Sequence, residues 1–168
     1  STYNRLYMPL GWLFYAVTVS IWGLSAGAHH VVNLALHVVN AVLVFAIALR
    51  ILRQVFKEKS GVSPRLLLVV AGVSAIMWAV HPLRVEVVAW VGARVHAMAA
   101  VFALCSLWAY LCYAESRENG ARKWNAYGIS VGCYALSIFT FPSALMLPGI
   151  FFILDLYLFG KSGKKAVG

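Results

Sequence analysis

The sequence predicts an all-α, polytopic membrane protein in which residues 1–168 form one helix bundle. Hydrophobic residues occupy 62% of the positions and charged residues 11%, whereas an ordinary soluble domain carries about 25% charged residues. A soluble fold of this length could not bury so much apolar surface. The same composition excludes disordered, collagen-like and disulfide-rich chains.

The charge pattern agrees with a membrane protein. The chain has 14 Lys and Arg against five acids, which gives a net charge of +9. Most of the basic residues lie in short runs between apolar segments, and this is the pattern of cytoplasmic loops. We therefore expect membrane lipids and other membrane protein subunits as partners, and no nucleic acid, although a soluble protein with this charge would suggest one.

Residues 8–24 form the first apolar segment. Apolar side chains recur along one stripe of a helix, with polar and aromatic residues elsewhere, at Leu10, Leu13, Phe14, Val17, Ile21 and Leu24. A helix that spans lipid would be apolar all round, so the stripe favours a helix lying in the membrane interface. A short additional span is the alternative interpretation.

Five further segments are predicted to cross the bilayer. Basic stretches at 53–65, 115–123 and 160–168 all fall on one side of the membrane when these five spans alternate, and we expect that side to be the cytoplasm. The C-terminus is then cytoplasmic. The predicted spans are residues 29–52, 66–80, 97–114, 124–140 and 143–159.

A polar stripe interrupts the first of these spans. Its members lie within an arc of about 80° on a helix, at His30, Asn33, His37 and Asn40. Because polar side chains are costly in lipid, the stripe should face other helices or a wet cavity. Interhelical hydrogen bonding and a substrate-cavity wall are both open interpretations. The two histidines lie about 10 Å apart along the axis without a nearby Cys or carboxylate, so we predict no metal site.

The loop at 81–96 carries the second group of polar residues. Glu86 is the one acid in it, and it lies between Arg84 and Arg94. An ion pair with either arginine, a general base, and a clamp of both arginines on a lipid phosphate are the alternatives. Glu86 is the only candidate catalytic residue. The candidate cavity-lining or lipid-phosphate residues are His30, Asn33, His37, Asn40, His81, Arg84, Glu86, Arg94 and His96.

The last predicted span contains an acid and a proline. Asp155 should lie near the cytoplasmic end, where it can reach water or cap another element. Pro148 should kink the helix because its ring removes a backbone hydrogen bond.

Four motifs in this order resemble those of a known family. YMPL at 7–10 is similar to a Tyr-Arg-Pro-Leu motif, and HVVNLALHVVN at 30–40 to a His-x-x-Asn-x-x-x-His-x-x-Asn run. HPLRVEVVAWVGAR at 81–94 and FPSALMLPGIFFILD at 141–155 resemble its His-Pro and Pro–Asp segments. The family is that of the GT-C-type, tetratricopeptide-linked, O-mannosyltransferase-like membrane proteins.

The resemblance implies a GT-C fold and sugar transfer from a polyprenyl-phosphate carrier on the extracytoplasmic side. The family's catalytic acid generally lies upstream of Tyr-Arg-Pro-Leu, so we expect it to be absent from these residues. Several charges that the family usually carries are replaced, at Met8, Ala93, Val95, His96 and Phe141.

Our hypothesis is therefore a non-catalytic member, acting as a structural or accessory subunit of a larger membrane assembly and without a cofactor. The alternative is part of an active mannosyltransferase that uses a polyprenyl-phosphate sugar and a divalent metal. We expect the bacterial inner membrane as the location.

The topology is testable by labelling. Cysteine introduced at Ser60, in a basic loop, should resist an impermeant thiol reagent in intact cells. Cysteine introduced at Val85, in the loop at 81–96, should react. The reverse pattern would contradict the assignment of the basic loops to the cytoplasm.

Overall fold

A computed structural model describes residues 8–57, 61–118, 120 and 123–159, which form helices joined by short turns. The basic tail at 160–168 and the first residue of YMPL lie outside the described residues. The elements are α1 (Pro9–Trp22), α2 (Ala26–Val55), α3 (Pro64–Ala79), α4 (Val85–Ala89), α5 (Arg94–Glu118), α6 (Trp124–Thr140) and α7 (Leu147–Leu154). Short 3₁₀ turns lie at Pro82–Arg84, Val91–Ala93 and Pro142–Met146, and a π turn lies at Asp155–Phe159.

The predicted class, an all-α membrane bundle, is confirmed. Among the described residues, Ala26–Val55, Val91–Glu118 and Pro142–Phe159 are each long and apolar enough to cross a membrane. The pair Pro64–Ala79 and Pro82–Ala89, bent by 58°, adds a fourth candidate if it forms one span. The protein is thus an integral membrane protein. The count of five spans stays a prediction, since α6 has 17 residues.

Helix α5 is the centre of the bundle. It packs against α2, α6 and the C-terminal segment. Near the C-terminal end of α5, an apolar cluster joins α5 to α2 and to the C-terminal segment. Its buried members are Ile47, Tyr110, Leu111, Ala114 and Phe159. Nearer its N-terminal end, Asn40 of α2 donates a hydrogen bond to the Ala97 carbonyl at 2.9 Å.

Small polar residues join α5 to α6. The hydroxyls of Ser106 and Ser130 each donate to the other residue's carbonyl, at 2.7 and 2.9 Å. Ser137 donates to the Ala99 carbonyl at 2.8 Å. Because lipid provides no hydrophobic drive for helix association, such small residues hold the helices by close approach and hydrogen bonds.

Helix α3 has clear sequence signals at both ends. The Ser63 side chain accepts a hydrogen bond from the Arg65 amide, and Pro64 begins the helix, which is a common start. The helix ends at Ala79, just before His81–Pro82, because the residue before a proline disfavours helical geometry. The helix therefore ends within one residue of the boundary predicted for the span at 66–80.

Helix α1 docks on the bundle through its small residues. Gly11 and Thr18 are buried, whereas Leu13 and Ile21 of the apolar stripe are 59% and 62% exposed. The stripe thus faces away from the protein, as it would toward lipid. With 14 residues, α1 is about 21 Å long, shorter than a hydrocarbon core of about 30 Å. Its interfacial placement stays a prediction.

Pro148 does not lie in a helix interior. It occupies the first turn of α7, directly after the 3₁₀ turn Pro142–Met146. The amide missing from proline needs no partner at that position. The interior kink expected from the sequence is therefore wrong.

The docking of α1 can be tested with a glycine pair. In Gly11→Ala the new Cβ would lie 2.8 Å from Val95 Cγ1 and 3.3 Å from the Thr140 oxygen. We expect it to lower the free energy of unfolding by about 1 kcal/mol or more. In Gly27→Ala the Cβ meets nothing within 4 Å, so this control should raise it by about 0.4–1 kcal/mol. Thermal unfolding in one detergent measures both, and equal shifts would contradict the docked position of α1.

Candidate functional site

A buried arginine lies where α1, α2 and α5 meet. Arg94 has 0% exposure. Its Nε donates to Asn33 Oδ1 at 2.8 Å, its Nη1 to Thr18 Oγ1 at 2.8 Å, and its Nη2 to the His29 carbonyl at 3.1 Å. We call Arg94, Thr18, His29 and Asn33 the Arg94 cluster. One side chain of α5 thereby bonds to both α1 and α2.

Asn33 connects this cluster to the turn segment before α5. Its side-chain oxygen accepts from Arg94, which leaves the amide nitrogen to donate. That nitrogen lies 3.3–3.5 Å from the carbonyl oxygens of Val87, Val88 and Trp90. These carbonyls belong to α4 and the residue after it, so Asn33 supplies a partner to a short helix end.

Neutral groups surround the Arg94 charge. The ion pairs found in the described part of the chain join Arg50 to Glu115, Lys57 to Glu118 and Arg117 to Asp155. The guanidinium carbon of Arg94 lies 5.4 Å from the centre of the Tyr15 ring and 6.0 Å from that of Phe14. Carbonyl, amide and hydroxyl oxygens with two aromatic rings replace a carboxylate, so loss of any one acceptor should be costly.

The expected ion pair of Glu86 is wrong. Glu86 lies exposed on α4 and makes no ion pair with another described residue. Arg94 turns inward at the start of α5, while the Arg84 guanidinium lies 4.5 Å from the Trp78 ring centre. Burial of one arginine and stacking of the other separate both from the carboxylate.

Most of the polar stripe forms interhelical hydrogen bonds. His37 Nε2 lies 3.1 Å from the Ala79 carbonyl, and its ring stacks on Trp78. Asn33 and Asn40 bond to the α4–α5 region. His30, by contrast, is exposed, and its neighbour His29 is buried with Nε2 2.9 Å from the Gly23 carbonyl. Of the two interpretations left open by the sequence, helix–helix bonding describes the inward-facing residues.

The remaining loop histidines lie outside the Arg94 cluster. His81 is exposed, and its Nδ1 accepts from the Leu83 amide at 3.3 Å. His96 is exposed, with its ring centre 4.2 Å from that of Phe141. Of the nine candidate residues, Asn33 and Arg94 are joined directly. No group of three or more His, Cys, Asp or Glu side chains able to hold a metal occurs within the described ranges.

A small apolar cavity lies beside the Arg94 cluster. It has a volume of about 350 Å³ and is lined by Met8, Gly11, Trp12, Tyr15, Gly92 and Val95. The Tyr15 hydroxyl is within 2.8 and 2.9 Å of the carbonyls of Val91 and Gly92. Because Tyr15 donates its hydroxyl to these backbone carbonyls, the lining offers mainly shape and apolar contact.

The opposite end of the bundle is held by ion pairs. Arg50 of α2 binds Glu115 of α5 through two hydrogen bonds of 2.7 and 2.8 Å. Arg117 lies 3.0 Å from Asp155, so this acid bonds to another element as the sequence suggested. Both pairs lie at the end that carries the basic loops.

Comparison with known proteins identifies distant relatives. The chain is 30% identical over 173 aligned residues to human protein O-mannosyl-transferase TMTC4. The alignment covers 96% of this chain and 22% of TMTC4. It is 26% identical to human TMTC2 over 79% of the chain and 31% identical to mouse TMTC1 over 71%. No family profile and no solved structure matches.

These matches confirm the resemblance stated from the motifs. The chain is a distant, partial homologue of the TMTC protein O-mannosyl-transferases and spans about a fifth of TMTC4, at 22%. TMTC2 and TMTC1 are covered over 15% and 11% of their lengths. The relatives are human and mouse proteins, so they lend no support to a bacterial inner membrane.

The Arg94 cluster generates a stability prediction. Asn33→Leu leaves Arg94 Nε without its acceptor in a buried site, and we expect a loss of about 1–3 kcal/mol in the free energy of unfolding. His30→Leu, on the exposed side of the same helix, should change it by less than about 0.5 kcal/mol. Thermal unfolding in detergent measures both variants.

A double variant separates this bond from simple packing. Asn33→Leu combined with Arg94→Met removes the buried charge together with its acceptor, so its loss should be smaller than the sum of the two single losses. Additive losses would contradict the Asn33–Arg94 bond.

Proposed function

We propose that this chain, a distant homologue of part of the TMTC protein O-mannosyl-transferases, is a non-catalytic, GT-C-like membrane module. In this proposal it acts as a structural or accessory subunit of a larger membrane assembly, and its own side chains hold helices together rather than react. The C-terminus lies in the cytoplasm, and the loop at 81–96 lies on the other side. The placement of Arg50, Arg117 and Lys123 toward one end supports this orientation.

The single observation that carries the proposal is the burial of the motif residues. Asn33 and Arg94 each have 0% exposure, and their polar atoms bond to other parts of the chain. A residue that binds a substrate must present a polar atom to it. Arg94 could reach a lipid phosphate only by giving up its contacts with α1 and α2, so a role in packing agrees best with its surroundings.

Glu86 lacks the surroundings of a catalytic base. Transfer from a lipid phosphate needs a group that activates the acceptor, commonly with a metal that offsets the phosphate charge. Glu86 is exposed on a five-residue helix. The described residues contain no metal-ligating group of three acids, histidines or cysteines around it.

Lipid contact at this end would involve Arg84. This half-buried side chain lies over Trp78, and the exposed His81 is close in sequence. A cation stacked on an interfacial tryptophan is suited to a lipid headgroup. Lipid binding here would serve anchoring, which agrees with an accessory role.

The second candidate function is a segment of an active mannosyltransferase. The printed names of the relatives favour it, because each is called a protein O-mannosyl-transferase. The chain spans only 22% of TMTC4, so residues beyond this segment could supply the acid. A polyprenyl-phosphate sugar and a divalent metal would then be required.

A transfer assay distinguishes the two. The purified 168-residue chain, offered polyprenyl-phosphate mannose, a peptide acceptor and Mg²⁺ or Mn²⁺, should transfer no sugar, because it presents no activated base. Radiolabelled mannose recovered on the peptide is the measurement. Turnover that Glu86→Gln abolishes, and that the matched carboxylate variant Glu118→Gln at the other end retains, would overturn the non-catalytic proposal.

A further inference from the structure

The basic end of the bundle contains a second pocket that the proposed function does not use. It opens between α2 and α5 and has a volume of about 480 Å³. We call it the α2 basic pocket. It is lined by Phe45, Ala46, Leu49, Arg50, Arg53, Gln54, Lys57, Trp108 and Glu115.

The cations of this pocket share one face of α2. Arg50, Arg53 and Lys57 are spaced by three and four residues, which places them within about 60° on a helix. Gln54 lies beside them and bonds to Glu118. The face therefore presents a cluster of positive charge next to α5.

Part of this positive charge is left without a close counter-ion. Arg50 is committed to Glu115 through its double hydrogen bond. Arg53 is exposed and has no ion-pair partner among the described residues, and Lys57 Nζ lies 3.8 Å from Glu118. At that distance a surface pair is weak. Arg53, together with Lys57 in this weak pair, thus leaves positive charge at the mouth of the pocket for an anion.

The pocket changes character along its length. Lys57 and Arg53 lie at one end, and Phe45, Ala46 and Leu49 form the other. From Lys57 to Phe45, α2 rises about 18 Å. Between the two ends, Trp108 lies under Arg50, whose guanidinium carbon is 4.6 Å from the ring centre. A free phosphate ion would use only the basic end, whereas an amphiphile would use both.

We propose that the α2 basic pocket binds one anionic phospholipid. Arg53 and Lys57 contact the phosphate of the headgroup, Trp108 lies at the level of the glycerol, and an acyl chain runs along Phe45, Ala46 and Leu49. Basic pockets between membrane helices recognise anionic lipids through this combination of charge and apolar contact. The inference does not depend on the proposed function, since it concerns the other end of the bundle and no catalysis.

The test is lipid-dependent thermal unfolding of the full chain in a maltoside detergent. Dioleoyl-phosphatidylglycerol should raise the unfolding midpoint in a saturable way, because a ligand that binds the folded state stabilises it. Dioleoyl-phosphatidylcholine and inorganic phosphate should have much smaller effects. In Arg53→Gln/Lys57→Gln the apparent affinity for phosphatidylglycerol should fall about thirtyfold, which corresponds to about 1 kcal/mol per basic residue.

A matched control removes the same charge elsewhere. Arg65 and Lys123 are exposed at the basic end and do not line the pocket, so Arg65→Gln/Lys123→Gln should keep the wild-type affinity. Ala46→Leu keeps every charge and fills the apolar end, and it should weaken phosphatidylglycerol binding as well. This variant gives a second readout that is independent of the basic residues.

Each opposing outcome has one meaning. An equal midpoint shift with phosphatidylcholine would overturn the headgroup specificity. A full shift with inorganic phosphate would replace the lipid by a free anion. Wild-type phosphatidylglycerol binding by Ala46→Leu would overturn the path of the acyl chain along Phe45, Ala46 and Leu49. An equal loss in Arg65→Gln/Lys123→Gln would reduce the effect to net surface charge and overturn the site.

Discussion

The buried guanidinium of Arg94 constrains the whole end of the bundle at which it lies. A cation with no exposed surface needs oxygens from its surroundings, and here they come from Thr18 of α1, and from His29 and Asn33 of α2. These helices must therefore keep their positions relative to α5. The position of α1, which is short and largely exposed, depends on this bond, on the close approach at Gly11 and on the Tyr15 hydroxyl.

In the rest of the bundle, hydrogen bonds of uncharged polar side chains hold the helices together. Ser106, Ser130 and Ser137 join α5 to α6, and Asn40 joins α2 to the Ala97 carbonyl. In lipid, apolar side chains gain little by meeting one another, so close approach and hydrogen bonds determine which helices pair. Many large apolar side chains accordingly lie on the outside of the protein, as at Leu24, Val31 and Met77.

This use of polar residues bears directly on function. A motif comparison would assign Asn33 and Arg94 to a sugar-phosphate site. In the structure both side chains are buried and bond to other parts of the chain. Glu86, the candidate catalytic residue, is exposed and lies apart from Arg84 and Arg94. The proposed scaffold role follows from this separation. At the opposite end of the bundle, the basic side chains of Arg53 and Lys57 are exposed at the mouth of the α2 basic pocket instead of being buried like Arg94.

Composition, periodicity and one proline determined the all-α membrane class, the end of α3 before His81–Pro82, and the inward direction of Asn33, His37 and Asn40. These follow from local rules that hold in any context, namely the cost of polar groups in lipid and the geometry before proline. Tertiary structure decided the rest. Either His29 or His30 would complete an arc of about 80° with Asn33, His37 and Asn40. The turn between α1 and α2 buries His29 and leaves His30 exposed. Arg94 likewise bonds to Asn33 and Thr18 rather than to Glu86, its neighbour in sequence. Proximity in sequence does not reveal which side chain points inward at the start of α5.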